Sequence, residues 1–313
     1  GAMQVAQRAT SATFNSSTGD YQTVDRFRFA GNRDQYVATL SQASDSPSGF
    51  ANSFKVATTT QETSLDADNQ LNIQHRLEGQ DLQQLKKGTS DAEKLTLSFY
   101  VKSSIATTFT VNLVDGDNTR TIASTYTVNV ADTWELKTIT FAGDTTGTLD
   151  NDNARSLDLK FWLDGGTTYT SGTLATSWAS SNDANKISAT TGFMTTANST
   201  WQITGIQLEV GSTATPFEHR SFGEEFSLCS RYYEVAEAYG NSYHYNDQAS
   251  SSDREDITAT YKVEKRATPT LTVTNQSTGS LSNLSNTTKK ATYRRTGSFG
   301  STAAYSVVSE AEL

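Results

Sequence analysis

The amino-acid sequence predicts an all-β protein, built as a large two-sheet sandwich, a short helix and a smaller C-terminal β-sandwich. Three observations predict it. Only 19% of the 313 residues are charged, and Thr, Ser, Asn, Asp and Gly carry most of the polarity, which suits strands with one wet face better than helices. Short segments of apolar and polar residues recur between turn-forming clusters. A single segment, about two thirds of the way along, has the capping signature of a helix.

The strands expected in the first domain run over Thr23 to Phe29, Tyr36 to Gln42, Ser53 to Thr59, Asn72 to Leu77, Lys94 to Lys102, Thr108 to Val114, Thr119 to Val128, Trp134 to Phe141, Ser156 to Leu163 and Thr200 to Val210. Ser46-Pro47-Ser48-Gly49, Gly88-Thr89-Ser90, Asp115-Gly116-Asp117-Asn118, Ala142-Gly143-Asp144 and Asp164-Gly165-Gly166 supply turns between them. Two strands assign their faces by alternation. Leu95, Leu97, Phe99 and Val101 fall on a core face, opposite Thr96, Ser98, Tyr100 and Lys102. Leu157, Leu159, Phe161 and Leu163 do the same, which puts Trp162 outward with Asp158 and Lys160.

An outward indole beside charged groups suits carbohydrate binding, because the ring stacks on the apolar face of a pyranose while polar neighbours fix its hydroxyls. Trp162, Asp158, Lys160 and, on the other strand, Tyr100 are therefore candidate contacts. The alternative is that the polar stretch from Gly165 to Ser199 covers this face and Trp162 is ordinary packing. That stretch carries Tyr169 and Trp178 as further candidates and reads as a binding loop or a lid.

After Thr215, Pro216 lacks an amide donor and ends strand pairing. Ser221 then caps a helix, with Glu224 completing a capping box and Glu225 adding a favourable charge to the first turn. Phe222, Phe226, Cys229 and Tyr233 recur at helical spacing, so one stripe is expected to face a domain. Strands are expected beyond it near Tyr239 to Tyr245, Ile257 to Val263, Lys265 to Val273, Ala291 to Arg295 and Ala304 to Val308. The domain boundaries read as 4–220, a linking helix at 221–234 and a β-domain at 235–313. Gly1-Ala2-Met3 reads as the remnant of a cleaved tag and is left out of the fold.

From Ile257 to Ser309 there are seven Lys or Arg against one acid, Glu264, so that the remaining chain carries −15 of the overall −9. A basic distal segment could bias that end towards anionic glycans, with Tyr243 and Tyr245 as aromatic candidates; the alternative is that these charges keep solvent-facing strand positions soluble. The lone Cys229 cannot form an intrachain disulfide, which fits assembly in a reducing cytoplasm. No apolar run reaches membrane-spanning length.

Catalytic motifs are sparse. His75, His219 and His244 lie on separate segments, with no spacing suited to a transition metal, no nucleophile elbow and no phosphate loop. The acid-rich turns Asp115-Gly116-Asp117-Asn118 and Asp150-Asn151-Asp152-Asn153 could offer oxygen ligands to calcium, although neither follows the EF-hand pattern and both also read as solvated turns.

The run Gly205-Ile206-Gln207-Leu208-Glu209-Val210-Gly211-Ser212-Thr213-Ala214-Thr215-Pro216-Phe217-Glu218-His219-Arg220-Ser221 resembles a junction that recurs in bacteriophage tail-fibre and related virion proteins, where it closes a galactose-binding-like jelly roll and starts a distal module. Weaker landmarks lie at Asp25-Arg26-Phe27, Gln74-His75-Arg76-Leu77-Glu78, Thr133-Trp134-Glu135 and Leu159-Lys160-Phe161-Trp162-Leu163. The resemblance implies a carbohydrate-binding jelly roll in a virion appendage, non-enzymatic, attaching to cell-surface polysaccharide and assembling with other virion proteins as a homotrimer. It also implies a structural calcium in some relatives, and neither nucleic acid nor membrane insertion. A purely structural decoration protein and a glycan-active depolymerase or its accessory module are the competing functions.

Overall fold

A computed structural model describes residues 1–15, 19–243, 254–275, 280–296 and 304–313. The chain divides into two units, Gly1–Arg220 with Leu313, and Ser221–Glu312. The strands of the first are β1 (Ser11–Phe14), β2 (Phe27–Asn32), β3 (Val37–Ala43), β4 (Ser53–Thr60), β5 (Gln70–Glu78), β6 (Leu95–Ser103), β7 (Thr108–Asp115), β8 (Arg120–Thr127), β9 (Glu135–Phe141), β10 (Arg155–Gly165), β11 (Ala179–Ser180) and β12 (Thr200–Val210). A single helical turn, α1 (Thr167–Thr170), follows β10.

These strands form two antiparallel sheets, ordered β1-β3-β4-β12-β6-β9 and β11-β8-β7-β10-β5-β2. The alternating residues meet between them. Leu97, Phe99 and Val101 of β6 are fully buried, as are Phe161 and Leu163 of β10. Phe99 packs edge-on against Phe161 at 5.1 Å between ring centres, and Phe161 lies 6.2 Å from Trp201 of β12. Aromatic rings from both sheets thus fill one core. Met3 is buried in that core and the Gly1 carbonyl accepts from Ile206, so the first three residues belong to the fold, contrary to their exclusion on sequence grounds.

The closing strand does more than end the sheet. A bulge interrupts β12 between Thr204 and Gln207, and Gly205 sits there at φ +62° with the Phe50 ring 2.7 Å from where a Cβ would project. Any side chain would have to displace that ring. The strand ends at Val210, where Gly211 turns at φ +116°, so pairing stops before Pro216 rather than at it. The chain then doubles back. Glu209 accepts from the Thr215 amide at 3.1 Å, and Gln207 accepts from the Glu218 amide at 2.8 Å. Burial raises the Glu209 pKa, but the Thr215 hydroxyl, the Gln207 side chain and the Thr215 amide outweigh it and hold the carboxyl below its ordinary value.

The second unit begins with α2 (Phe222–Ser230), whose Ser221 cap accepts from the Glu224 amide at 3.3 Å. The helix ends earlier than residue 234, because Tyr233 already starts β13 (Tyr233–Tyr243). Cys229 is buried, whereas Phe222 is 61% exposed and stacks on Phe226, so the expected apolar stripe is broken at its first position. With β14 (Arg254–Thr260), β15 (Thr270–Asn275), β16 (Ser280–Asn286), β17 (Lys290–Thr296) and β18 (Ala304–Glu310), the strand order is β15-β18-β13-β14-β17-β16. The first half of β13 pairs with β18 and its second half with β14. Ala236 and Val307 from one half share a small core with Ile257, Ala259, Ala291 and Tyr293 from the other, which makes this unit the smaller sandwich.

The basic bias of this unit is largely absorbed internally. Lys265 is buried 2.7 Å from Glu234, Arg294 makes a two-point pair with Asp256, and Arg266 donates to the Ala311 and Glu312 carbonyls. Arg295 is buried as well. Asp256, one residue before the basic stretch, and Glu234 thus offset two of its cations within the fold.

Candidate functional site

The outer face of the second sheet is a grid fixed by strand register. Arg28 of β2 pairs with Gln74 of β5, which pairs with Lys160 of β10, which pairs with Asn112 of β7. The next row is Ala30, Asn72, Trp162 and Thr110, and on the other side Arg76 neighbours Asp158. Two-residue periodicity puts all of these on one face while Leu71, Ile73, Leu159 and Phe161 point to the core.

Half of this grid is roofed. Asp164, at the end of β10, accepts from Thr190 at 2.7 Å and from the amides of Thr191 and Met194 at 2.9 Å, which pins the far end of the 166–199 insertion. Asn112 donates to the Lys186 carbonyl at 3.0 Å, and Thr110 accepts from the Ser188 amide at 3.2 Å. Tyr169 and Ile187 then cover Trp162, which is 3% exposed, with the Tyr169 ring 5.4 Å away. Trp162 is therefore a packing residue and presents no face for a sugar, which corrects its reading as an outward platform. Gly166 lets the insertion leave the strand end, since a Cβ there would lie 2.0 Å from the Asp66 carbonyl oxygen.

The other half remains open as a cavity of about 450 Å³ over β2, β5 and the near side of β10, walled by Tyr169, Asp183 and Lys186 of the insertion. Its floor is a ladder of amides. Asn72 donates to Gln70 at 3.4 Å, Gln74 donates to Asn72 at 2.6 Å, and Arg28 donates to Gln74 at 3.1 Å and to the Gly19 carbonyl at 3.1 Å. Arg76 donates to Gln74 at 3.4 Å and also to the carbonyl of Leu313, which clusters with this unit. Below them Asp158, fully buried, is held by Arg155 at 2.6 and 2.5 Å.

The sequence candidates thus separate. Lys160 and Tyr169 line the cavity, and Asp158 lies beneath it as the partner of Arg155. Tyr100 is on the first sheet, its ring 5.5 Å from Phe50, which in turn packs on Phe217 and His219 of the returning segment. Trp178 donates to the Ala142 carbonyl at 2.8 Å and packs on the core away from the cavity. Tyr243 ends β13, with only its backbone described, and Tyr245 lies outside the described residues.

Arg28, Asn72, Gln74 and Arg76 were missed. Their signal was present in the alternation of Gln70, Asn72, Gln74 and Arg76 with Leu71, Ile73, His75 and Leu77. His75 itself points away from the cavity, its Nδ1 donating to the Arg26 carbonyl at 3.1 Å. Desolvation, with Arg26 adding to it, keeps the ring neutral well below the usual histidine pKa.

The turn at Asp115 holds a cation of the chain's own. The Lys87 ammonium lies 2.5 Å from Asp115 Oδ2, 3.1 Å from Asp144 Oδ2 and 2.8 and 3.0 Å from the Gly147 and Thr146 carbonyls. Arg120 makes a two-point bond to the same Asp144. Asp115 is fully buried and already paired with Lys87, while Gly116 and Asp117 of the same turn are exposed to solvent. Among the described residues no group of three His, Cys, Asp or Glu is placed to hold a metal ion, and no helix is long and apolar enough to cross a membrane.

No protein-family model matches the sequence, and no curated protein matches it. Among solved structures, the chain is similar to the Family 11 Carbohydrate-Binding Module of a cellulosomal cellulase of Clostridium thermocellum, at 14% identity and TM-score 0.33 over 67% of this chain and 99% of that one. It is similar to the enzymatically active domain of tailspike protein 4 of bacteriophage CBA120, at 10% identity and TM-score 0.35 over 63% of this chain and 21% of that one. Discoidin II of Dictyostelium discoideum is a further likeness, at 10% identity and TM-score 0.21 over 86% of each chain. Similarity this distant does not carry a ligand or an activity from one chain to another.

Proposed function

We propose that the first unit binds a glycan in the cavity over β2, β5 and β10, and that it does so as a non-enzymatic part of a phage virion, in a tail fibre or related appendage. The observation that carries the binding reading is the cavity floor. Three side-chain amides and two guanidinium groups are held there by mutual hydrogen bonds, beside one aromatic wall, Tyr169. Pre-positioned donors and acceptors of this kind suit the hydroxyls of a sugar, and little needs to reorganise on binding.

The virion setting is supported by the resemblance of the junction from Gly205 to Ser221. The non-enzymatic reading is supported by the acids. Glycoside hydrolysis uses two carboxylates facing one bond, whereas Asp183 is the one carboxylate among the lining residues and Asp158 is buried against Arg155. A homotrimer would let weak individual contacts act together on a polysaccharide surface.

Binding to host polysaccharide that is lost in Gln74→Ala and Tyr169→Ala, at unchanged melting temperature, is the expected result. Release of reducing ends from that polysaccharide would overturn the non-enzymatic reading, and a monomer mass in light scattering would overturn the trimer. Immunogold labelling elsewhere than on a virion appendage would overturn the setting. A structural virion role is the second reading, favoured by the roofing of Trp162, and it predicts no glycan binding at all.

A further inference from the structure

The cavity is more cationic than a neutral sugar needs. Arg28, Arg76, Arg155, Lys160 and Lys186 line it, against Asp183 on the wall, Asp158 beneath and Asp20 near Arg28. Two of the acids are already committed, since Arg155 takes both oxygens of Asp158 and Lys186 takes Asp183. Lys160 shares Asp158 with Arg155. Its side chain is 17% exposed, it makes no hydrogen bond among the described residues, and its nearest carboxylate oxygen, on Asp158, lies 3.6 Å away. Desolvation lowers its pKa to about 8; Asp158 opposes the shift, and Arg155, Lys186 and Arg76 add to it. The neighbouring Arg76 Nε is likewise buried with no hydrogen-bond acceptor, 3.9 Å from Asp158.

A buried guanidinium Nε without an acceptor, beside an ammonium whose one carboxylate is shared with Arg155, leaves positive charge in the cavity that an anionic ligand would offset. We propose that the ligand of this cavity carries an anionic group, as an acidic sugar such as a uronate does, and that this group sits against Lys160 and Arg76. The proposal rests on the reading of the cavity as a glycan site. The amide ladder of Gln70, Asn72 and Gln74 would then meet the hydroxyls, while the anion completes the charge-assisted bonds. A neutral glycan would fill the same space and offer hydroxyl acceptors, but it would leave the excess positive charge unneutralised.

The test is a glycan array of matched acidic and neutral oligosaccharides, read with the full chain and its variants, each checked for an unchanged melting temperature. Acidic glycans are expected to dominate the bound set, and binding should weaken as salt is raised. Lys160→Met is expected to reduce affinity roughly tenfold or more, with Lys160→Arg retaining it. If neutral glycans bind and are lost in Gln74→Ala, the anion is wrong and the glycan site stands. If acidic glycans bind undiminished in both Lys160→Met and Gln74→Ala, or if no glycan binds, both the anion and the site are overturned.

Discussion

The two outer faces of the first unit start from similar material and end differently. On the first sheet the chain's own exit segment lies back over the strands, and its backbone amides are taken by Gln207 and Glu209 of the strand it has just left. Phe50, Phe217 and Tyr100 close that face with rings. On the second sheet the insertion reaches across β7 and β10, accepts from the Asn112 amide, donates to Thr110, and stops at Lys160. Beyond it the side chains bond mostly to one another. A face closed by its own backbone has its polar groups used up, whereas a face closed halfway leaves donors at the edge of the roof, and a ligand can bind there.

The strongest way to break this contrast is Trp162→Ala. If the indole is packing under the roof, the variant loses about 3–5 kcal/mol in denaturant unfolding, and binding falls only in step with the folded fraction. Selective loss of binding at full stability would mean that the ring meets the ligand after all. On the closed face, Gly205→Val should cost about 2–3 kcal/mol, because a β-branched residue is forced into a left-handed conformation against the Phe50 ring. Glycan affinity of the folded protein should not change.

The pH dependence probes the strand beneath the open face. His75 has a folded pKa well below its unfolded value, so below about pH 6.5 the unfolded chain takes up a proton that the folded ring refuses, and stability falls as pH falls. His75→Asn should flatten this part of the melting-temperature profile between pH 7.5 and 5. A profile unchanged by the substitution would refute the assignment. The smallest effect is expected for Glu209→Ala, about 1 kcal/mol or less, read as faster hydrogen exchange at the Thr215 amide with glycan binding intact.

Much of this was legible in the sequence, and the limits have physical causes. Alternation placed Leu95, Leu97, Phe99 and Val101 inward and Tyr100 outward, because burial of one face imposes the two-residue period directly. The helix cap at Ser221 was legible because its bonds are local. β1 and β16 were missed, since Ser11–Phe14 is short and Ser280–Asn286 has no β-branched residue. The roof over Trp162 was legible as one of two readings of that residue, without its contacts. Two of the bonds that hold it in place, Asn112 with Lys186 and Thr110 with Ser188, join residues more than 70 positions apart, and no local pattern records which outward residues such a loop will cover. The open half of the face was missed for the opposite reason: Arg28, Gln74 and Arg76 gain meaning only when strands β2, β5 and β10 are set side by side.

The Lys87 cage has a consequence for where the first unit can work. A metal bridging Asp115 and Asp144 would be held by mass action, and would leave when the surrounding concentration fell below its dissociation constant. An ammonium on the chain cannot be diluted away or stripped by a chelator. Cohesion at this turn is therefore expected to be the same in calcium-rich and calcium-poor surroundings, and EDTA should leave the melting temperature where it was.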